Sequence, residues 1–327
     1  VIHAARKNSI ARRAATHLLL VLSFALVATS ASAGEPAVRE ANFRIRADYE
    51  WLHLFSDDVF VYMAPSTGNG TVTTPVAAPP TIEGTTVEVD IDDGGFTGVY
   101  TFPVVGDEYG ARVFGGPRFG KIHADAFDET DIFGFDAGAE GFWRDPAVGE
   151  AGAGAFYSVT DYSTSRANRP VSGINGTFHT AGVTAYGKLF VGAPDAGTPI
   201  DLDVRTVFSD SNIDDSGLNS RDRTYGAVGG VTAYLNDHAS VRAGGIYDRR
   251  NLGRSEWIET RAATIDLDLL VPTERNVILG AGMIIGNREE KIEGVQRYGR
   301  LLFGLRFEAT ISFTSAESLL ELNRTLF

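Results

Sequence analysis

From Arg300 to Phe313 every second residue is apolar: Leu301, Phe303, Leu305, Phe307, Ala309, Ile311 and Phe313. The alternate positions hold Gly304, Arg306, Glu308, Thr310 and Ser312, with Leu302 the one apolar exception. A period of two predicts a strand with one oily and one wet face. The same pattern recurs along the chain. "FRIRADYEW" sets Phe43, Ile45, Ala47, Tyr49 and Trp51 against Arg44, Arg46, Asp48 and Glu50. "TVEVDIDDGGFTGVYTF" alternates with a change of phase at Gly94-Gly95, which predicts a bulge there. Twelve strands are expected, at about 43–54, 85–104, 109–122, 131–144, 150–162, 177–192, 199–210, 223–235, 238–249, 257–271, 276–286 and 299–313.

Their connections alternate in kind. "VGDE", "DPAVG", "PDAGT", "ND" and "PTER" are tight and rich in Pro, Gly, Asp or Asn, as hairpin turns require. The others, near 55–84, 123–130, 163–176, 211–222, 250–256 and 287–298, are mostly longer and polar. An even number of strands with an oily face needs either a second sheet to cover it or lipid. In hydrocarbon an open sheet edge leaves backbone N–H and C=O groups unmet at several kcal/mol each, so the sheet must close. The expectation is an all-β, closed antiparallel transmembrane barrel; a water-soluble sandwich is the alternative.

The first 33 residues point to export. Arg6, Lys7, Arg12 and Arg13 precede the apolar run "HLLLVLSFALVA" and the small residues "ASA", the layout of a secretory signal peptide. The division expected is therefore 1–33 signal peptide, 34–42 periplasmic segment, 43–313 barrel and 314–327 tail. The net charge is −13, and losing the leader's four cations makes it more negative. That argues against a nucleic-acid partner, which needs clustered Lys and Arg. Without cysteine there is no disulfide, thiol nucleophile or thiolate metal site.

Signal, alternating strands, short-turn and long-loop rhythm and an aromatic-ended last strand together resemble a bacterial outer-membrane β-barrel of the porin-like kind, over roughly 43–313. The resemblance implies turns in the periplasm and loops outside. It implies contact with outer-membrane lipid and lipopolysaccharide, and recognition of "GLRFEATISF" by the barrel-assembly machinery. It also implies passive diffusion of small solutes, without a cofactor or an enzymatic activity. A surface-exposed barrel acting through its loops is the alternative role. After Phe313 comes "TSAESLLELNRTLF", in which Thr314 and Glu317 form a possible capping box and four leucines suit a short helix; a thirteenth strand is the other reading.

Charges opposite the apolar rows are the lumen candidates: Arg44, Arg46, Asp48, Glu50, Asp136, Glu140, Lys188, Arg242, Asp266, Asp268, Arg306 and Glu308. In hydrocarbon a midplane Arg or Lys costs about 2–4 kcal/mol; in a wet interior it costs little. They could form a salt-bridged filling or a solute-selecting lining. Phe102, Trp143, Phe190 and Phe313 lie near the tight-turn end, where an aromatic girdle belongs.

Other motifs are weak. "GGPRFGK" has Ile122 where a phosphate-binding loop needs Ser or Thr, and sits in an extended context. Asp210, Asn212, Asp214 and Asp215 form an acidic loop that departs from the EF-hand pattern, leaving at most a weak divalent-ion contact. His53, His123, His179 and His238 show no metal-site spacing. A lipid-hydrolysing barrel would pair His179 with Ser158 or Ser163, and no acid partner is evident.

Overall fold

A computed structural model describes residues 42–55, 89–105, 108–124, 129–145, 147–164, 176–192, 198–214, 221–251, 257–271, 276–291, 298–314 and 316–324. The expected signal peptide and almost all of the 34–42 segment lie outside these. Twelve strands follow in order: β1 (Asn42–Phe55), β2 (Val89–Val105), β3 (Tyr109–Ala124), β4 (Thr130–Asp145), β5 (Gly149–Thr164), β6 (Gly176–Val191), β7 (Ile200–Asp214), β8 (Arg221–Asn236), β9 (Ala239–Asn251), β10 (Trp257–Val271), β11 (Asn276–Lys291) and β12 (Tyr298–Ser312). A short helix, α1 (Leu319–Arg324), ends the described chain. Each strand pairs antiparallel with its sequence neighbours, and β1 pairs with β12 to close the barrel. That seam runs from Arg44 opposite Ser312 to Phe55 opposite Leu301. Closure leaves no sheet edge.

The register assigns every side chain a face. The outward rows carry Phe133, Phe135, Val183, Val204, Ile265 and Leu301, all strongly exposed. On the inward rows, charges reach across the interior to strands that are not adjacent; Arg205 of β7, for example, meets Glu140 of β4. Aromatic rings also lie flat against the inner wall. A Cβ on Gly138 would stand 2.4 Å from Phe114, and one on Gly182 would stand 2.4 Å from Phe156. Glycine at these two positions lets a ring on the adjoining strand cover the wall instead of blocking the lumen.

The bulge expected at Gly94-Gly95 does not exist. Pairing of β2 with β1 runs through both residues without a shift; the irregularities fall at Pro103/Val105 and Tyr234/Asn236. The phase change has a different cause. Near the loop end of the barrel the inner wall itself turns apolar: Leu54, Ile284 and Leu302 are buried together, with Leu52, Val89, Ile91 and Ala262 against them. Leu302, the exception in its strand, belongs to this collar. Asp90 and Asp92 are displaced to the outward face, where they meet His53 and Tyr49.

The tail is a helix, not a thirteenth strand. Its cap is Ser318, whose Oγ accepts from the Glu321 N–H at 3.1 Å, while Glu321 accepts from the Glu317 N–H at 2.7 Å. Thr314, the expected cap, instead donates to Asn42 Oδ1 at 2.9 Å and ties the end of β12 to the start of β1.

Candidate functional site

The lumen is layered. Beneath the apolar collar lies a charged middle, and α1 closes the turn end. All twelve charges expected inside do face inward, and each now has a described setting. Arg46 pairs with Glu308 across the seam at 3.2 Å and approaches Asp48 of its own strand at 3.8 Å. Glu50 stands opposite Arg306 in the register. Arg306 donates to Asp266 at 2.5 Å, and Arg242 lies between Asp203 at 2.8 Å and Asp266 at 3.7 Å. Asp268 lines the same space as these.

On the opposite wall Glu140 is almost fully buried and accepts from both Arg112 at 3.1 Å and Arg205 at 2.6 Å. Arg112 continues to Glu150 at 3.2 Å, Tyr186 donates to Glu150 at 2.6 Å, and Arg144 pairs with Glu150 from the other side. Asp136 lies 3.8 Å from Arg118, which also binds Asp93. The sequence reading omitted Arg112, Arg118, Arg144, Glu150 and Arg205. Their signal was present in part: Arg112 and Arg118 alternate with apolar neighbours in their strand, whereas Arg144 is followed by Asp145 and Arg205 by Thr206. What could not be read was that Arg112 of β3 and Arg205 of β7 would converge on one carboxylate of β4.

Two cavities open between these walls. One, of about 690 Å³, is lined by Arg44, Arg112, Arg118, Arg144 and Arg205 together with Asp136 and Glu140. The other, of about 330 Å³, is lined by Glu50, Arg242, Asp266, Asp268 and Arg306. Arg46, Asp48 and Glu308 border both.

At the turn end α1 folds back into the barrel. Leu319 and Leu322 are completely buried, Leu319 against Tyr234 and Leu270. Arg324 donates through Nε to the fully buried Asp201 at 2.8 Å and through its other nitrogens to the Gly192, Val191 and Ile200 carbonyls. Lys188 reaches the same Asp201 at 3.0 Å, and the Tyr234 hydroxyl donates to it at 2.6 Å. Arg44 donates to the Leu322 carbonyl at 2.9 Å. A helix of six residues would not hold alone in water. Here the barrel supplies both its apolar socket and its polar anchors.

With this geometry in place the chain can be set beside known proteins. No protein-family model matches it, and no curated protein does. Among solved structures it is similar to the COG4313 outer membrane channel from Pseudomonas putida F1, with a TM-score of 0.53 and 13% identity over 86% of this chain and 100% of that one. The fold is that of a bacterial outer-membrane β-barrel. Other similar structures are the translocator domain of the autotransporter NalP from Neisseria meningitidis (TM-score 0.44, 11% identity, 91% of this chain and 97% of that one) and a Pseudomonas aeruginosa FadL homologue (0.41, 10%, 84% and 90%).

Three of the four girdle candidates face outward near the turn end: Phe102 stacks beside Tyr100, Trp143 stands opposite Tyr109, and Phe313 lies 5.3 Å from Phe43. Phe190 does not join them. It faces the lumen, 6% exposed, with the Arg324 guanidinium 5.0 Å from its ring. The inserted helix gives it a partner inside that its strand pattern did not reveal. The acidic stretch is also reassigned: Asp210 and Asn212 belong to β7 and share the outward row with His179, opposite Arg223 and Arg221 of β8. The Asp214 side chain and Asp215 lie outside the described residues. No group of three metal-binding side chains occurs among the described residues. Ser158 and His179 point to opposite faces, His179 outward toward the Tyr157 hydroxyl at 2.7 Å and Ser158 inward beside Thr160. "GGPRFGK" lies within β3 and is followed by no helix.

Proposed function

We propose that the chain is a passive channel of the bacterial outer membrane, conducting small hydrated solutes, with α1 narrowing its periplasmic mouth. The supporting observation is the pair of charge-lined cavities inside a wall whose outward rows are apolar. Strands of 13 to 17 residues exceed the roughly 9–11 needed to cross a bilayer, so both ends project into headgroups or water. On this reading the outward rows meet outer-membrane lipid and lipopolysaccharide. The β12 strand with Phe313 is the element the assembly machinery handles.

Planar-bilayer recording of the refolded full chain tests the proposal. Small, steady unitary steps in potassium chloride are expected, because the charged middle is hydrated while the collar and helix restrict both ends. Absence of any conductance above the bare bilayer, in protein that shows the folded, heat-modifiable band on a gel, would contradict it.

A further inference from the structure

The turn-end half of the larger cavity holds an imbalance of charge. Arg44, Arg112, Arg144 and Arg205 all line it. The carboxylates that serve this group are Glu140 and Glu150, shared among Arg112, Arg144 and Arg205. Glu140 and Glu150 are thus each held by two arginines, and Arg112 is common to both. Arg44 has no carboxylate within ion-pairing distance among the described residues. Its Nη2 is spent on a helix carbonyl, and its Nε is buried with no hydrogen-bond partner. Immediately beyond, Lys188 and Arg324 share the single carboxylate of Asp201. A buried donor left unmatched is destabilising, and more so when it is charged. A cluster of cations lining a recess raises the local concentration of anions.

We propose that this half of the lumen is a binding site for small oxyanions, phosphate or a short-chain carboxylate, with Arg44 as the cation that completes it. A guanidinium gives charge-assisted hydrogen bonds to the oxygens of a phosphate or carboxylate. Arg112 and Arg205 already hold Glu140, so they contribute field more than new bonds. The site lies beside α1, so every solute passing the periplasmic mouth meets it. This deepens the channel reading: it names the solute class that dwells in the lumen, and it rests on the lumen being wet.

Equilibrium dialysis of radiolabelled inorganic phosphate against the folded full chain in detergent measures the site without requiring conduction. One saturable site is expected. Arg44→Gln should weaken it by about tenfold or more, the scale of a lost charged hydrogen bond, while Arg44→Lys retains most of the affinity. Phosphate on the helix side should also reduce chloride current in the bilayer. No saturable phosphate binding, or equal binding by wild type and folded Arg44→Gln, would overturn the proposal. If Arg44→Gln does not give the folded band, Arg44→Met, which keeps the apolar stem and removes the charge, takes its place with the same criterion. Phosphate binding without conductance would uphold the anion site and sink the channel; conductance without binding would do the reverse.

Discussion

The two walls of the lumen are built from the same residue types and behave differently. On the β3–β7 side the carboxylates of Glu140 and Glu150 are 2% and 6% exposed, and each is held by two arginines. At the seam, Arg46, Asp48 and Glu308 are 51%, 39% and 38% exposed and meet at 3.2 to 3.8 Å. The first set is removed from water, so its charges are tolerable only because each is compensated; taking away one partner strands the others. The second set is screened by water and contributes little to stability. One wall therefore holds the barrel's shape, and the other can lose a charge at little cost to the fold.

The sharpest way to break this contrast is Glu140→Ala. It leaves Arg112 and Arg205 facing an empty carboxylate position and should cost about 3–5 kcal/mol, read as a lower urea midpoint for loss of the heat-modifiable folded band. Equal stability would mean the wall is wetter than its burial indicates. Arg324→Ala comes next. Losing the Asp201 pair and three carbonyl bonds should release α1 from the mouth, and a severalfold rise in unitary conductance is expected. An unchanged step size would show that α1 does not limit the path. Glu308→Gln at the seam should have the smallest effect on folding, under about 1 kcal/mol. It should still shift the reversal potential in a potassium chloride gradient toward anions, because a negative charge bordering both cavities is gone. A stability loss as large as that of Glu140→Ala would erase the distinction between the walls.

Much of the barrel was legible because period-two alternation is a local property. Strand β10 (Trp257–Val271) begins and ends where its pattern does, and the seam juxtaposes Asp48 with Glu308 and Glu50 with Arg306, as closure demands. The failures share one physical cause. Reading a strand assumes that one face is oily along its whole length. In β2 the apolar residues change sides, Val89 and Ile91 facing in and Phe96 and Tyr100 facing out, because the inner wall is apolar at the loop end and charged in the middle. Phe190 was assigned to the girdle for the same reason: nothing local shows that a helix more than a hundred residues later fills the lumen beside it. The network around Glu140 depends on strands three apart meeting across the interior, which is a property of the closed circumference and not of any segment. Ser318, the true cap of α1, lay in plain view four residues beyond Thr314, in a tail with two S/T-x-x-E spacings and no local rule to choose between them.

Because the chain contains no cysteine, single cysteines can report on each face without background. The most direct test places one at Asp48 or Glu308 on the inner wall and one at Ile265 or Leu267 on the outward row, in protein reconstituted into lipid vesicles. A small charged thiol reagent should modify the first pair and leave the second unreacted, while a lipid-dissolved maleimide should do the opposite. Rapid labelling of positions 265 and 267 by the charged reagent, with 48 and 308 protected, would contradict a wet lumen inside a lipid-facing barrel.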